Sequence, residues 1–384
     1  MIILKFGGSS LNSSDHIRRV IEIIDRTNKE YQEIAVVVSA FGGVTEELIR
    51  ISREAVSGEN DYVQRLKKLE DRHMEMVKAC IYINCQSHLL ATVKMMFNEL
   101  EDVLHGVQLV KELTMRTLDF ILSFGERLSA YIITCICSQD SVPAEYLDSR
   151  DMVKTNADFG FAKVDVLNTF KNIEEYFSAH PLLQIITGFI GSTCNNETTT
   201  LGRGGSDYTA SIFGAALHAD EIQICTDVNG VLTGDPRKIP HAFPILHMTY
   251  KEAMEMSHFG AKVIYPPTIQ PALECNIPVR IKNTFDPDAE GTLITADSLS
   301  QHIPVRGISS IENISLVNVE GSGMIGVTGI AGRLFSALAR EHINIILITQ
   351  ASSEHSICFA VQSVFVEAAK DAVEKEFALE MQAH

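Results

Sequence analysis

The sequence carries few positive charges for its size. Its 384 residues include 32 Lys and Arg against 49 Asp and Glu, which gives a formal net charge of −17 and a pI of about 5.2. This balance argues against nucleic acid or an anionic membrane as the main partner, because both attract cationic surfaces. An anionic substrate would therefore need Lys and Arg side chains concentrated at one site.

Several other signals are missing. The eight cysteines form no CxxC pair and lie mostly in apolar runs, which predicts reduced thiols in a cytoplasmic protein. No apolar run reaches membrane-spanning length, since the run at 131–137 is far too short. The N-terminus lacks the ordered regions of a secretion signal. The pattern GxxxxGK followed by Ser or Thr is absent, which excludes a P-loop enzyme.

What the sequence does contain is a repeated strand–glycine–helix pattern. Residues 2–6 and 34–38 are apolar, each stretch ends in glycines, and a helical pattern follows each. This arrangement predicts a doubly wound α/β sheet, in which ligands bind beyond the strand ends. Residues 59–115 contain no proline and read as a helical excursion of mainly structural character. Residues 307–384 follow the order β-α-β-β-α, a ferredoxin-like pattern that lacks one strand.

The stretch at 198–210, TTTLGRGGSDYTA, is the most informative one. Glycines lie just before an apolar helix, where backbone N–H groups can point at an anion. Arg203 can bind a carboxylate through two parallel hydrogen bonds, and Ser206 and Asp207 begin the helix. We interpret the stretch as a site for an anionic small molecule; the alternative is a surface loop with an ordinary N-cap at Ser206.

A few cations are predicted to converge on that site. Lys5 and Lys262 border strands, and Arg203 and Arg237 lie in glycine-bearing loops. Each alone is more often a surface charge, but together at strand ends they suit a polyphosphate and a carboxylate. Phosphoryl transfer to a carboxylate fits, because an acid with a pKa near ~4 is already ionised at pH 7 and needs no general base.

Two further patterns leave alternatives open. Glu126 and Arg127 are charges in an apolar helix, which indicates either an internal ion pair or a contact with a substrate amine or phosphate. A GxGxxG pattern at 321–326 follows a strand, but the next helix does not open at once, so it is a weak dinucleotide fingerprint.

These motifs closely resemble the aspartokinase family. The matching segments cover most of the chain in the family's order: KFGGSS at 5–10, VVSAFGGVT at 37–45, FGER at 124–127, LGRGGSDYTA at 201–210, TDVNGVLTGDPR at 226–237 and FGAKVIYP at 259–266. The helical excursion, the segment 282–294 and residues 307–384 are most similar to the kinase half of bifunctional aspartokinase–homoserine dehydrogenases. Residues 307–384 look like the first of the family's paired ACT modules.

The resemblance implies a fold and a domain division. Residues 1–296 would form an amino-acid kinase domain, a mostly parallel sheet sandwiched by helices, with the helical excursion at 59–115. Residues 297–306 would be a linker, and 307–384 a ferredoxin-like α+β ACT regulatory domain. The strand that closes this module in the family, the inserted second module and the dehydrogenase are missing, so we expect an incomplete ACT domain in a fragment of a longer chain.

The resemblance also implies a reaction, transfer of the ATP γ-phosphate to the β-carboxylate of L-aspartate. The catalytic residues would be Lys5, Asp207 and Lys262. Those binding aspartate would be Ser39, Thr45, Glu126, Arg203, Gly204, Gly205 and Ser206. Those binding ATP would be Gly7, Gly8, Ser9, Thr226, Asp227, Leu232, Arg237, Lys262 and Val263.

Individual roles follow from the family. The two lysines would neutralise the phosphates, and Gly7 and Gly8 would donate backbone N–H groups to the moving phosphoryl group. Asp207 would orient the lysines and touch Mg²⁺ through water, so that no side chain holds the metal directly and Mg²⁺ arrives with ATP. Many members carry Tyr at the position of Leu232, whose contact with the adenine is therefore less well defined.

Regulation and assembly are the last expectations. Threonine or lysine would bind the ACT region through Ser322, Gly323, Met324, Gln350, Ser352 and Ser353. The enzyme would be a cytoplasmic homodimer or higher homo-oligomer without nucleic-acid or membrane partners. Two alternatives remain: a kinase for glutamate, carbamate or UMP, and a catalytically silent amino-acid sensor that works through its ACT region.

Overall fold

The computed structural model describes residues 1–31, 33–58, 61–140, 142–258, 265–297, 305–321, 327–350 and 356–382. It divides into two compact units, Met1–Ser309 and Ser310–His384, which are taken separately below. The predicted linker at 297–306 falls largely outside the described ranges, and its bounds stay a prediction.

Among the described residues, a sheet of eight strands organises the larger unit. The strands of this unit are β1 (Ile2–Phe6), β2 (Ile34–Val38), β3 (Ala144–Leu147), β4 (Lys154–Thr155), β5 (Leu183–Thr187), β6 (Ile190–Thr193), β7 (Thr198–Thr200), β8 (Glu221–Thr226), β9 (His247–Thr249), β10 (Val279–Asn283) and β11 (Thr292–Thr295). The order across the large sheet is β3-β5-β2-β1-β8-β10-β11-β9, while β4, β6 and β7 form a small second sheet. Among the described strands of the large sheet, neighbours run parallel from β3 through β10 and again between β11 and β9, while β10 and β11 pair antiparallel. The predicted mostly parallel sheet is confirmed.

Helices cover both faces of this sheet. They are α1 (Ser14–Glu30), α2 (Val44–Ser57), α3 (Asp61–Cys80), α4 (Gln86–Val110), α5 (Met115–Gln139), α6 (Ser149–Met152), α7 (Val166–Ala179), α8 (Gly205–Ala216), α9 (Tyr250–His258) and α10 (Gln270–Glu274). Successive side chains of a strand point to opposite faces, so Leu4 and Val36 join one core while Ile3 and Val37 join the other. This two-sided burial explains why β2 is apolar throughout.

The helical excursion contributes to the larger of these cores. Apolar residues of α3 and α4, among them Leu69, Val77, Val93 and Leu104, are buried together with α2 and α5. His73 of α3 is also fully buried, where its Nδ1 lies 2.7 Å from the Leu69 carbonyl oxygen. The region is helical as its composition predicted, and it packs directly behind the segment that follows β2.

The helix α5 corrects one expectation. It is long and apolar enough, by length and composition, to cross a membrane, yet 78% of its most apolar window is buried inside the protein. The expectation that no apolar run reaches this length counted only uninterrupted residues, whereas α5 continues through Glu126 and Arg127. The packing is that of a core helix.

The smaller unit is a three-stranded antiparallel sheet with helices on one face. Its elements are β12 (Ile314–Glu320), α11 (Ile330–Arg340), β13 (Leu347–Gln350), β14 (Ser356–Gln362), α12 (Val366–Glu376) and α13 (Ala378–Gln382). The order β-α-β-β-α is as predicted. Before β13, Ile343 closes the end of α11, because its N–H donates to the Leu338 carbonyl and its side chain is buried.

Burial of His73 leads to a prediction on acid stability. Burial lowers the pKa of His73 from 6.5 to about 4, so the neutral ring contributes stability that is full above pH 6.5 and is lost as pH falls through 4. The variant His73→Leu lacks this titration. We expect its free energy of unfolding to fall less between pH 7.5 and pH 5 than that of the wild type, by about 2 kcal/mol.

Thermal and urea unfolding at the two pH values measure this difference. The exposed His88 of α4 provides the control, and His88→Gln should keep the wild-type pH dependence. An unchanged pH dependence in His73→Leu would contradict the prediction, whatever the absolute stability of the variant.

Candidate functional site

The site lies at the carboxyl edge of the parallel strands. Because β1, β2, β5 and β8 run in the same direction, the segments after Phe6, Val38, Thr187 and Thr226 meet at one edge of the sheet. These are the glycine-bearing and hydroxyl-bearing segments that the sequence singled out. The edge has the position expected for a ligand site in an open α/β sheet.

An ion pair joins the central strand to the helix that follows the TTTLGRGG stretch. Lys5 Nζ of β1 lies 2.6 Å from Asp207 Oδ1, and both side chains are largely shielded from solvent, with 12% and 14% exposed. Asp207 stands in the first turn of α8, where the helix favours negative charge. Gly204, the N-cap of α8, has a φ of 73°, a conformation that favours glycine and lets the chain turn into the helix.

A cavity of about 610 Å³ opens beside this ion pair. It is lined by every residue predicted to bind aspartate and by some of those predicted for catalysis and ATP: Ser39, Thr45, Glu126, Arg203, Gly204, Gly205, Ser206, Lys5, Asp207, Gly8 and Ser9. Residues from distant parts of the sequence therefore share one space.

Glu126 is the most unusual group in the cavity. Its Oε1 accepts a hydrogen bond from the Ala40 N–H at 3.2 Å, while its buried Oε2 has no partner among the described residues. Burial raises the pKa of this carboxyl from 4.5 to about 8. The neighbouring Arg127 points away and pairs with Glu99 and with the largely buried Asp148. An internal ion pair therefore forms at Arg127, but Glu126 takes no part in it. An orphaned carboxyl oxygen in a cavity suits a ligand that donates hydrogen bonds.

Arg203 occupies another part of the cavity wall. Its guanidinium carbon lies 5.5 Å from the centre of the Tyr265 ring, a distance at which a cation and an aromatic face attract. Glu126 and Arg203 thus offer groups of opposite character to one ligand, as an amino acid requires.

The residues predicted for the nucleotide separate into two groups. Gly8 and Ser9 line the cavity, whereas the described residues Gly7, Thr226, Asp227, Leu232 and Arg237 do not. Thr226 and Asp227 follow β8, directly beside the end of β1, and the Thr226 hydroxyl donates to Asp227 at 3.1 Å.

Two of these residues already have partners. Arg237 forms an exposed ion pair with Asp235 at 2.8 Å. The Gly7 N–H donates to the Cys225 carbonyl oxygen at 3.4 Å, so it takes part in the ladder between β1 and β8 rather than facing the cavity.

Some predicted residues lie outside the described ranges: Lys262, Val263, Ser322, Gly323, Met324, Ser352 and Ser353. Gln350, the remaining residue predicted for the effector, is the exposed last residue of β13. The convergence of Lys5 and Lys262 on one nucleotide therefore stays a prediction.

Comparison with known proteins agrees with this geometry. The family model described as amino acid kinase family matches residues 1–283. The chain belongs to the amino acid kinase family. A second model, described as an ACT domain, matches residues 317–377, which confirms the ACT assignment made from the sequence.

Relatives of this chain are named as aspartokinases. The chain is 37% identical over 384 residues to the chloroplastic bifunctional aspartokinase/homoserine dehydrogenase of Daucus carota, covering 98% of this chain and 42% of the relative. It is 34% identical to the chloroplastic aspartokinase 1 of Arabidopsis thaliana, covering 92% of this chain and 62% of the relative. The chain thus spans less than two thirds of the length of either protein.

A solved structure gives the same result. The structure of E. coli aspartokinase III in complex with lysine and aspartate is similar with a TM-score of 0.81 at 27% identity, covering 98% of this chain and 83% of that one. The resemblance inferred from the motifs is confirmed.

Sequence reasoning missed one carboxylate of the larger unit, Met1–Ser309. Asp119 of α5 is buried and lines the cavity, where its Oδ2 accepts from the N–H groups of Gly160 at 2.8 Å and Thr200 at 3.0 Å. Its Oδ1 accepts from the Thr200 hydroxyl at 2.7 Å. Asp119 therefore ties α5 to β7, the strand that leads into the Arg203 loop. The available signal was a lone acid in an apolar helix, the same signal that singled out Glu126.

Within the described part of the chain, no group of three or more His, Cys, Asp or Glu side chains is placed to hold a metal ion. Asp207 presents one carboxylate beside Lys5 in the cavity. One carboxylate together with substrate phosphates is a donor set that suits Mg²⁺, which usually keeps several of its waters.

Glu126 yields a prediction on alkaline stability. Because its folded pKa is raised, the carboxyl contributes stability that is full below pH 4.5 and is lost as pH rises through about 8. The variant Glu126→Gln keeps an acceptor for the Ala40 N–H and does not ionise. We expect Glu126→Gln to gain stability relative to the wild type between pH 6 and pH 9, by at most a few kcal/mol.

Chemical unfolding across this pH range measures the gain. Glu101→Gln, at an exposed position of α4, is the control and should follow the wild type. A stability gap between Glu126→Gln and the wild type that is constant across the range would show that Glu126 does not titrate there.

Proposed function

We propose that the chain is an aspartate kinase, which transfers the γ-phosphate of ATP to the β-carboxylate of L-aspartate and forms 4-phospho-L-aspartate. The observation that carries the proposal is the single cavity that brings together Glu126, Arg203 and the Lys5–Asp207 pair. An amine, a carboxylate and a phosphate each find a complementary group there. The names of the relatives at 34–37% identity support the same reaction.

The amino-acid subsite follows from charge. Arg203 binds the α-carboxylate, since its planar fork matches two carboxylate oxygens. Glu126 binds the α-ammonium through its orphaned Oε2, and it ionises as the cation arrives, because an adjacent positive charge favours the carboxylate form. Ser39, Thr45, Gly204, Gly205 and Ser206 complete the wall.

The chemical step needs positioning and charge neutralisation. An oxygen of the ionised β-carboxylate attacks the γ-phosphorus, the bond between that phosphorus and the β,γ-bridging oxygen breaks, and ADP leaves with the electron pair. Lys5, held by Asp207, neutralises the charge between the two anions, and the Gly8 N–H contributes to the same region. Lys262 acts as the second phosphate-neutralising lysine.

The nucleotide lies over the ends of β1 and β8. Its pocket uses Gly7, Gly8 and Ser9 on one side and Thr226, Asp227, Leu232 and Arg237 on the other, and Lys262 and Val263 also bind the nucleotide. Gly7 contributes close backbone approach rather than a free N–H, since that group bonds to Cys225. Asp207 would hold Mg²⁺ through water, and the ion, carried by the ATP phosphates, would supply neutralisation of their charge.

The ACT region gives the enzyme feedback by an amino acid, threonine or lysine, through Ser322, Gly323, Met324, Gln350, Ser352 and Ser353. The residue ranges 1–296, 297–306 and 307–384 are the catalytic domain, linker and regulatory domain. The reaction is the first step of lysine, threonine and methionine biosynthesis, carried out by a cytoplasmic homodimer or higher homo-oligomer.

The proposal is tested first by substrate comparison. ADP release is measured with aspartate, glutamate, carbamate and UMP as acceptors, with and without threonine and lysine. Aspartate should give the highest kcat/KM. Turnover on another acceptor alone would assign a different kinase activity, and no turnover on any acceptor together with threonine or lysine binding would identify a sensor.

The ion pair gives the second test. Lys5→Met and Asp207→Ala should each lower kcat by at least ~10²-fold, because each removes a group that neutralises or orients charge in the transition state. Lys5→Met keeps the apolar stem within β1. Circular dichroism and thermal unfolding verify the fold, and near-normal turnover in both folded variants would refute the assigned roles.

The third test separates the two subsites. Arg203→Lys keeps the charge but lacks the planar fork, so the KM for aspartate should rise ~10-fold or more while the KM for ATP changes little. Arg237→Lys is the matched change on the nucleotide side. A defect of Arg203→Lys that is confined to ATP would mean that the two subsites have been assigned in reverse.

A further inference from the structure

Two glycine-bearing segments of the site press against each other. One is the phosphate segment, residues 7–12, which follows β1; the other is the amino-acid segment, residues 39–43, which follows β2. A Cβ on Gly8 would lie 3.0 Å from the Ala40 carbonyl oxygen, and a Cβ on Gly42 would lie 3.0 Å from the Gly8 carbonyl oxygen. Both glycines are therefore needed for this close approach of the two backbones, and the contact sets the separation of the subsites.

A residue from outside both segments spans their contact. Arg72 of α3 donates from Nη1 to the Gly42 carbonyl oxygen at 2.8 Å and from Nη2 to Asn12 Oδ1 at 3.0 Å. One planar group thus bonds the amino-acid segment and the phosphate segment at once. The two bonds use the two terminal nitrogens of the guanidinium, a geometry that a lysine ammonium does not reproduce.

The same helix holds the amino-acid segment at a second point. The ring of His73 stacks on Phe41 with the ring centres 5.2 Å apart, and its other side meets Phe97 of α4 at 5.2 Å. Arg72 and His73 are adjacent on α3. The helix therefore contacts the amino-acid segment at two points: Arg72 bonds to the backbone carbonyl of Gly42, and His73 stacks on the buried side chain of Phe41.

The charge of Arg72 is also unusual. Within the described part of the chain, no carboxylate lies within ion-pair distance of its guanidinium, and both of its acceptors are neutral oxygens. Most other arginines of the larger unit form ion pairs with Asp or Glu; examples are Arg65, Arg150 and Arg280. A partly buried cation that bonds only to neutral oxygens lacks the compensation that an acidic partner gives. We therefore infer that the guanidinium serves to hold these two oxygens in place.

We propose that Arg72 is a positioning residue for phosphoryl transfer: its guanidinium clamps the amino-acid segment onto the phosphate segment and so fixes the approach of the two reacting anions. Arg72 does not line the cavity and touches no substrate. The consequence for catalysis rests on the proposed aspartate kinase function, whereas the clamp itself does not. The helical excursion thereby acquires a functional part beyond its contribution to the core.

The first experiment compares Arg72→Lys and Arg72→Met with the wild type. Because misplacing reacting groups by about 1 Å costs ~10²-fold, we expect kcat to fall ~10- to 100-fold in both variants, with the KM values for aspartate and ATP within about threefold. Equal losses in the two variants support positioning. A wild-type kcat in Arg72→Lys would overturn the proposal, because charge alone would then suffice.

The control is Arg18→Met. Arg18 of α1 donates from Nη2 to the Ala79 carbonyl oxygen at 3.0 Å, so this change also removes an arginine–carbonyl bond to α3 but leaves the two segments untouched. Its kcat should equal that of the wild type. A loss equal to that of Arg72→Met would assign the effect to the general attachment of α3 and overturn the proposal.

A double-mutant cycle tests the bridge itself. Asn12 is exposed, so Asn12→Ala should fold normally and should lower kcat by itself. In the Arg72→Met background the same change should have no further effect, since residues of one bridge are not additive. Additive losses would show that Arg72 and Asn12 act independently.

Hydrogen exchange separates this proposal from the proposed function. Amides of residues 7–12 and 39–43 should exchange faster in Arg72→Met than in Arg18→Met, without any substrate. Unchanged exchange in both segments would overturn the clamp. Faster exchange in a protein whose wild type does not phosphorylate aspartate would uphold the clamp and refute the proposed function.

Discussion

The ion pair between Lys5 and Asp207 is the constraint on which the rest of the site depends. It joins the central strand to the first turn of α8 in a place with little access to water. Removing either partner would leave a charge poorly solvated and unpaired, which is costly. Strand and helix must therefore keep their relative position, and the Arg203 loop that precedes α8 is fixed with them. The cavity is built around this fixed point.

The cavity combines cationic and acidic side chains. In a protein of net charge −17, Lys5 and Arg203 line it together with the carboxyl groups of Glu46, Asp119, Glu126 and Asp207. Burial keeps Glu126 largely neutral at pH 7, because its pKa is raised to about 8. The cavity therefore presents one fewer negative charge to incoming anions, and Glu126 becomes an anion when a cationic group joins it.

Motifs at strand ends were predictable because parallel strands bring their carboxyl ends to one edge, whatever lies between them in sequence. The residues predicted to bind aspartate, from Ser39 to Ser206, were placed together on that basis and on family resemblance. Arg72 and Asp119 could not be found in this way. Each lies inside a helix whose hydrophobic pattern indicates only which side chains are buried. The hydrogen bonds of Arg72 reach residues 30 or more positions away in the sequence, and those of Asp119 reach residues 41 or more positions away. The helical excursion was accordingly read as mainly structural.

The sequence by itself determined the alternation of strands and helices, the parallel sheet, the ACT pattern and the chemical class of the site. These follow from local periodicity, from glycines at strand ends and from the choice of charged side chains, all of which are written in short stretches. Only the tertiary structure decided that Arg127 turns away from Glu126, that the Gly7 amide is used by the sheet, and that α3 bridges two loops of the site. Such outcomes depend on which groups become neighbours and lose water together, and local sequence does not specify that.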